Sequence, residues 1–190
     1  MFFNISIRRK LSFFLVFIFT FLFITQISSS WVNAKEKPKP ELKDWHISGI
    51  MAALDDSYEG VQELAFDKLG EYELKNLDKQ QADEIAKKAA NVLENEKADS
   101  EFRKSAVKAL GNLGDVAKPY VEDILDILKN EKVDDDVRAG AASALGNLGD
   151  ATKPYVKDIA DILKDEKVDN DVRAGAASAL GNLGDAAKPY

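Results

Sequence analysis

The chain has 190 residues, 26 basic and 33 acidic, and a formal net charge of −7. The only charges in residues 1–34 are Arg8, Arg9 and Lys10, so the remainder holds 23 bases against 33 acids, a net −10. A body that acidic repels a phosphate backbone, which excludes nucleic acid as the expected partner. The absence of cysteine excludes disulfides, thiolate metal sites, a cysteine nucleophile and a lipid-modified cysteine.

The opening MFFNISIRRK is short and basic. The uncharged run LSFFLVFIFTFLFIT follows, and then QISSSWVNA. That order is the basic region, apolar region and small-residue cleavage site of a secretory signal. Val32 and Ala34 fill the small positions, so residues 1–34 are expected to be a signal peptide cut after Ala34. The apolar stretch 11–27 is 17 residues, at the short edge of a membrane span. The expected location is therefore periplasmic or extracellular, secreted by the general route. The alternative is an uncleaved anchor over residues 11–27, the only case in which a membrane is a partner. Residues 35–44 read as a linker, because Pro38 and Pro40 disfavour helix and favour an extended spacer.

Residues 45–190 read as a tandem helical repeat. The unit 45–96 is atypical, units 97–131 and 132–166 are regular, and 167–190 is incomplete. In the first unit Ile47, Ile50, Met51 and Leu54 share one helical face. Ala82, Ile85, Ala86, Ala89 and Leu93 share another, with Asp78 as the expected cap. Leu69 to Leu110 is a step of 41, an insertion of six relative to the later period of 35. The later copies are far closer. Residues 133–155 and 168–190 differ at two of 23 positions, Asp135 against Asn170 and Thr152 against Ala187. A period of this size signals a solenoid.

Each regular unit contains two helices. Val137, Ala141, Ala144, Leu145 and Leu148 form one apolar stripe at helical spacing. Asp134, Asp135 and Asp136 supply a cap and favourable charge at its start, and Gly149 ends it. Val121, Ile124, Leu125 and Leu128 form the stripe of the second helix, with Pro119 near its start and Lys129 in its last turn. Val156, Ile159, Ala160 and Leu163 repeat that stripe, closed by Lys164. Gly140, Gly146, Gly175 and Gly181 fall inside first helices, where each costs about 1 kcal/mol against alanine. Close packing of neighbouring helices is the expected compensation.

The chain stops after Tyr190, where the earlier copies continue into a second helix. The last first-helix is thus expected to lack its partner and to leave part of the stripe 176–183 open. The favoured reading is a piece of a longer repeat protein, since a bare apolar repeat end is a liability. The other is self-association through that uncapped end.

An acid, two residues, an apolar residue, arginine and an alanine-rich helix ending in LGxLG recur three times in phase. They begin Asp99-x-x-Phe102-Arg103, Asp134-x-x-Val137-Arg138 and Asp169-x-x-Val172-Arg173. These units resemble HEAT repeats, particularly the short bacterial form found in proteins related to phycobilisome lyases. The resemblance implies an all-α, armadillo-like, right-handed solenoid of stacked antiparallel helix pairs. It implies a ladder between stacked repeats built from Asp99, Arg103, Asp134, Arg138, Asp169 and Arg173. Gln62 stands where the first arginine belongs, so that ladder starts at the second unit. The competing reading leaves the aspartates as caps and the arginines in water.

No catalytic constellation emerges, and neither a cofactor nor a metal is expected. His46, the one histidine, has no local partners and reads as a surface or end-packing residue. The run Asp134-Asp135-Asp136 lacks the ligand spacing of a calcium loop. LGNLGD is not followed by the GK[ST] of a phosphate loop, and it closes a helix instead of opening one. Ser105, Ser143 and Ser178 read as small packing residues.

The resemblance places the second helices on the concave, binding side. The candidate surface is then Glu122, Asp123, Asp126 and Lys129, followed by Lys157, Asp158, Asp161 and Lys164. The plainer reading is the solvated side of an amphipathic helix. The expected function is an exported, non-enzymatic scaffold for protein–protein interaction. The resemblance alone offers a bilin lyase or lyase-like chaperone as an alternative, against which the export signal argues. A self-assembling structural role is a third.

Overall fold

The computed structural model describes residues 38–190. The expected signal peptide, its cleavage point, the alternative anchor over residues 11–27 and the first three linker residues lie outside them. Among the described residues there are eight α-helices: α1 Asp44–Leu54, α2 Glu59–Leu69, α3 Lys79–Glu94, α4 Ser100–Asn112, α5 Val121–Lys129, α6 Asp135–Asn147, α7 Val156–Lys164 and α8 Asn170–Leu183. There are no named strands in this region, only an isolated bridge between Glu41 and Glu73. No helix here is long and apolar enough to cross a membrane.

The helices form where the sequence stripes predict. Val121, Ile124, Leu125 and Leu128 are all buried in α5, and Val137, Ala141, Ala144 and Leu145 in α6. In α3 the buried face is Ala82, Ile85, Ala86, Ala89, Ala90 and Leu93, and Asp78 caps the helix by accepting from the Gln81 N–H. In α7 Val156, Ile159 and Ala160 are buried, whereas Leu163 is only half-buried. Pro119 and Pro154 precede their helices, in 3-10 segments Gly114–Tyr120 and Gly149–Tyr155. Each segment opens on a glycine with positive φ, 58° at Gly114 and 53° at Gly149. A side chain there would be strained, so glycine is what lets the first helix stop and the chain turn back.

The pairing is offset by one helix from the sequence reading. The second helix of one unit packs against the first helix of the next, as α3–α4, α5–α6 and α7–α8, with α1–α2 a like pair inside the atypical unit, while α2, α4, α6 and α8 stack in series. The short turns at 130–134 and 165–169 bring these partners together, whereas the 3-10 segments hold the two helices of one sequence unit apart. This corrects the expectation that the last first-helix lacks a partner: α8 packs on both α7 and α6. Ala176, Ala179 and Leu183 of its stripe are buried, whereas Leu180 is only half-buried where its equivalent Leu145 is fully buried, so part of the stripe does stay open as expected. The side left exposed carries Ala174, Ala177, Ser178 and Gly181.

The insertion of six in the first unit also has a place. It holds a 3-10 turn, Leu74–Asn76, against which the end of the linker packs. The Glu73 N–H donates to the Pro40 carbonyl at 2.9 Å, the Asn76 side chain donates to the Leu42 carbonyl at 3.0 Å, and Leu42 is fully buried. The linker therefore joins the folded body before residue 44.

Glycine in the first helices does permit close packing, but not at every position. A Cβ built on Gly111 would lie 2.8 Å from the Ala144 Cα, and one on Gly146 would lie 2.7 Å from the Ala179 Cα. At Gly181 nothing lies within 4 Å. Gly146→Ala should therefore destabilise the protein by about 1–3 kcal/mol through overpacking. Gly181→Ala should stabilise it by about 0.5–1 kcal/mol through helix propensity alone. Denaturant unfolding of the two variants should give opposite signs; equal signs would contradict the packing role of Gly146.

Candidate binding surface on the second helices

Two sets of polar residues recur with the repeat. The first is the aspartate–arginine set. Asp99, Asp134 and Asp169 sit at the N-caps of α4, α6 and α8, where each carboxylate accepts the backbone N–H two residues on, at 2.9, 3.0 and 2.7 Å. They fill an orphan-donor role that every helix start creates. The arginines do not meet them. Arg103 donates to the Leu93 carbonyl, Arg138 to that of Leu128 and Arg173 to that of Leu163, each at 3.1 Å.

The expected ladder is thus corrected in its partner. The arginine crosses to the preceding second helix, but it takes a carbonyl near that helix's C-terminus, not an aspartate. Such carbonyls have no acceptor role inside their own helix, and the positive guanidinium suits the negative helix end. Gln62, in the arginine's place in α2, donates instead to the Asp56 carbonyl in the loop between α1 and α2. The ion pair that does join successive first helices is Lys104–Asp136 at 2.9 Å, which holds the Asp136 carboxyl below its ordinary range. Its lysine is replaced by Ala139 one repeat on, so the sequence period gave no sign of it.

The two differences between the near-identical copies are also polar contacts. Asp135 accepts from the Arg138 guanidinium at 2.6 Å, and Asn170 replaces it below Arg173. The buried Thr152 hydroxyl donates to the Leu145 carbonyl at 2.8 Å, a contact Ala187 cannot make. Of the serines, Ser105 bonds the Asp67 carboxylate at 2.8 Å, and Ser143 folds back on the Ala139 carbonyl at 3.1 Å. With Arg138 only 4% exposed, Arg138→Ala should cost about 2 kcal/mol, because a charge-assisted hydrogen bond is lost and a carbonyl is left bare. An unchanged melting temperature would show that the guanidinium contributes nothing to the junction.

The second set lies on α5 and α7. Glu122, Asp123, Asp126 and Lys129 are exposed on α5, as are Lys157, Asp161 and Lys164 on α7, while Asp158 is half-buried. They face away from the apolar stripe, as amphipathicity requires. The α7 charges are paired: Lys129 with Asp158 at 3.0 Å, and Lys157 with Asp161 at 2.6 Å. Lys164 lies 5.8 Å from the Tyr190 ring centre. Glu122 accepts from the Tyr155 hydroxyl at 2.7 Å, which raises the phenol's pKa.

Asp123 and Asp126 instead line a groove of about 280 Å³ with Glu94, Glu96, Arg103 and Lys132 over Leu93, Ile127 and Val133. Burial beside its neighbours, and then the charges of Glu94, Asp126 and Glu122, raise the Asp123 carboxyl above its ordinary range. Glu94 was not among the residues singled out from sequence, although the period places it at the position of Lys129.

A second groove, about 300 Å³, lies on α1 and α2 between Trp45, His46, Ile50, Leu64 and Tyr72, with Lys68 its one charged lining residue. His46 stacks between Trp45 and Tyr72, with ring centres 3.6 and 4.7 Å away, and accepts from the Lys43 N–H. Among the described residues no group of three or more His, Cys, Asp or Glu could hold a metal.

The raised Asp123 pKa sets the sign of a pH effect. As pH rises, the unfolded chain loses this proton before the native protein does. Stability therefore falls between the ordinary and the raised pKa and stays lowered above it. Asp123→Asn should raise the melting temperature at pH 7, and the gain should fade below about pH 4, where the native carboxyl is itself protonated. Melting curves at both pH values check this; an equal gain at both would remove the electrostatic cause.

Comparison with known families agrees with the stacked hairpins. Residues 121–190 match the model described as HEAT repeats, and residues 102–130 match the PBS lyase HEAT-like repeat. Neither match shows catalysis. No curated protein matches the chain. With first helices stacked in series and two family models covering residues 102–190, that part of the chain is built of HEAT-type repeats.

Proposed function

We propose that the protein is an exported, non-enzymatic scaffold that binds other proteins through the outer sides of α5 and α7. The observation that carries this reading is a row of exposed charges on those two helices, held in register by first helices that stack almost backbone to backbone. A rigid surface with fixed polar groups binds with little ordering cost, which favours association without any reaction centre. The net −10 beyond residue 34 directs the choice toward proteins and away from nucleic acid. Export follows from the order of charge and apolarity in residues 1–34.

The test is co-purification from the native host with the mature chain, whose N-terminus mass spectrometry should place at Lys35. A protein partner should be recovered, and its yield should fall when Asp123, Asp126, Lys157 and Asp161 are all neutralised. Recovery of no protein would sink the scaffold reading, and an intact Met1 would sink the cleaved export signal.

A further inference from the structure

The outer side of α8 copies a surface whose occupant is visible in this molecule. Val172–Asp185 repeats Val137–Asp150 without a change, so α8 presents outward the residues that α6 presents to α8. On α6 those residues are covered. Ala142 and Leu145 have no exposed surface, and Gly146 is buried. The Ala179 Cα of α8 lies 2.7 Å from where a Gly146 Cβ would stand, and the Ala142 Cβ lies 3.1 Å from where a Gly175 Cβ would stand. The counterparts of Ala142, Leu145 and Gly146 on α8 are Ala177, Leu180 and Gly181. Ala177 and Gly181 are exposed, and Leu180 is half-buried. Among the described residues no helix covers that side, and nothing comes within 4 Å of a Cβ built on Gly181.

A row of small residues says little by itself. Here the same row is seen with a helix seated on it, and that helix has a particular chemistry. The side of α8 that meets α6 carries Gly175 and Ala179, four residues apart, with Asn182 one turn on. Small residues let the two backbones close to this spacing. The α2 helix shows the converse. The period places Leu64 and Lys68 where α8 has Gly175 and Ala179. Even a methyl group on Gly175 would lie 3.0 Å from the Ala139 carbonyl oxygen. A helix with leucine there cannot approach as α8 does, so a second copy of this chain cannot extend the stack through its α1–α2 end.

We infer that the outer side of α8 receives an α-helix of a partner protein that carries glycine and alanine four residues apart on its contact face. Gly181 takes the backbone at that alanine, as Gly146 takes Ala179. Ala174 and Ala177 take the glycine, as Ala139 and Ala142 take Gly175. Leu180 becomes buried, as Leu145 is. Removal of apolar surface from water drives the association. The contact uses no charged residue, so it is a further interface beside the charged row on α5 and α7, and its failure leaves the scaffold reading as it stands.

The test is a titration of isotopically labelled residues 35–190 with an acetylated, amidated peptide of residues 168–185, which reproduces the occupant of α6. Amide chemical shifts report the site and should change at residues 174–182 of the labelled chain. A control peptide with Gly175→Leu and Ala179→Lys, the residues of α2, should cause no change. In the labelled chain Gly181→Ala should raise the melting temperature, because nothing opposes the added methyl group there. The same variant should weaken the peptide about tenfold or more, because that methyl group enters the peptide backbone. A merely structural role for Gly181 gives the first effect without the second.

Equal binding of the control peptide, shifts centred on α6 or on the α1–α2 groove, or unchanged affinity in Gly181→Ala would overturn the inference. So would the absence of any shift at millimolar peptide. Sedimentation equilibrium of the chain alone should give a monomer. A dimer that Gly181→Arg dissolves would assign this side of α8 to a second copy and overturn the inference as well.

Discussion

The closest constraint in this molecule is the approach of one first helix to the next. Gly111 meets Ala144, and Gly146 meets Ala179, at distances where a methyl group would enter the neighbouring backbone. Glycine inside a helix costs stability in isolation. Here the cost is offset because Leu110 and Leu145, the residues immediately before these glycines, become fully buried. The spacing of these helices sets the spacing of everything attached to them, including the charged row on α5 and α7.

The junctions between hairpins are held by a different device. A helix end leaves carbonyls without donors, and a buried junction cannot leave them to water. Arg103, Arg138 and Arg173 reach those carbonyls from the following helix, while Gln62 at the first junction ties down the loop carbonyl of Asp56. The aspartates of the same motif are occupied at their own N-caps. A carboxylate committed to a local N–H two residues away has little reason to serve a distant arginine as well.

On this frame, charge varies while geometry does not. The α7 frame pairs each of Asp158 and Asp161 with a lysine. The α5 frame repeats the two aspartates but replaces both lysines with glutamates. Near-identical backbones therefore differ in which of these aspartates is paired, with no change of fold. The apolar groove at α1 and α2, with Trp45 and Leu64 exposed, is a separate departure at the first of the described hairpins.

The sequence by itself determined the elements and the class. The stripes at Val121, Ile124, Leu125 and Leu128, the caps at Asp78, Asp99, Asp134 and Asp169, and the glycines that end first helices are local signals. Such signals are legible because helix periodicity and capping involve residues within a few positions of one another. What the sequence could not settle was which helices pair and which distant groups meet. The offset pairing depends on how far each turn separates its helices, and the destination of Arg138 depends on a carbonyl ten residues away across a turn. The acid excess beside Asp123 needs Glu94, from a helix that ends 29 residues earlier, to arrive at the same groove. Only tertiary packing makes those neighbours, because contacts across turns and between hairpins are set by helix approach and not by spacing along the chain.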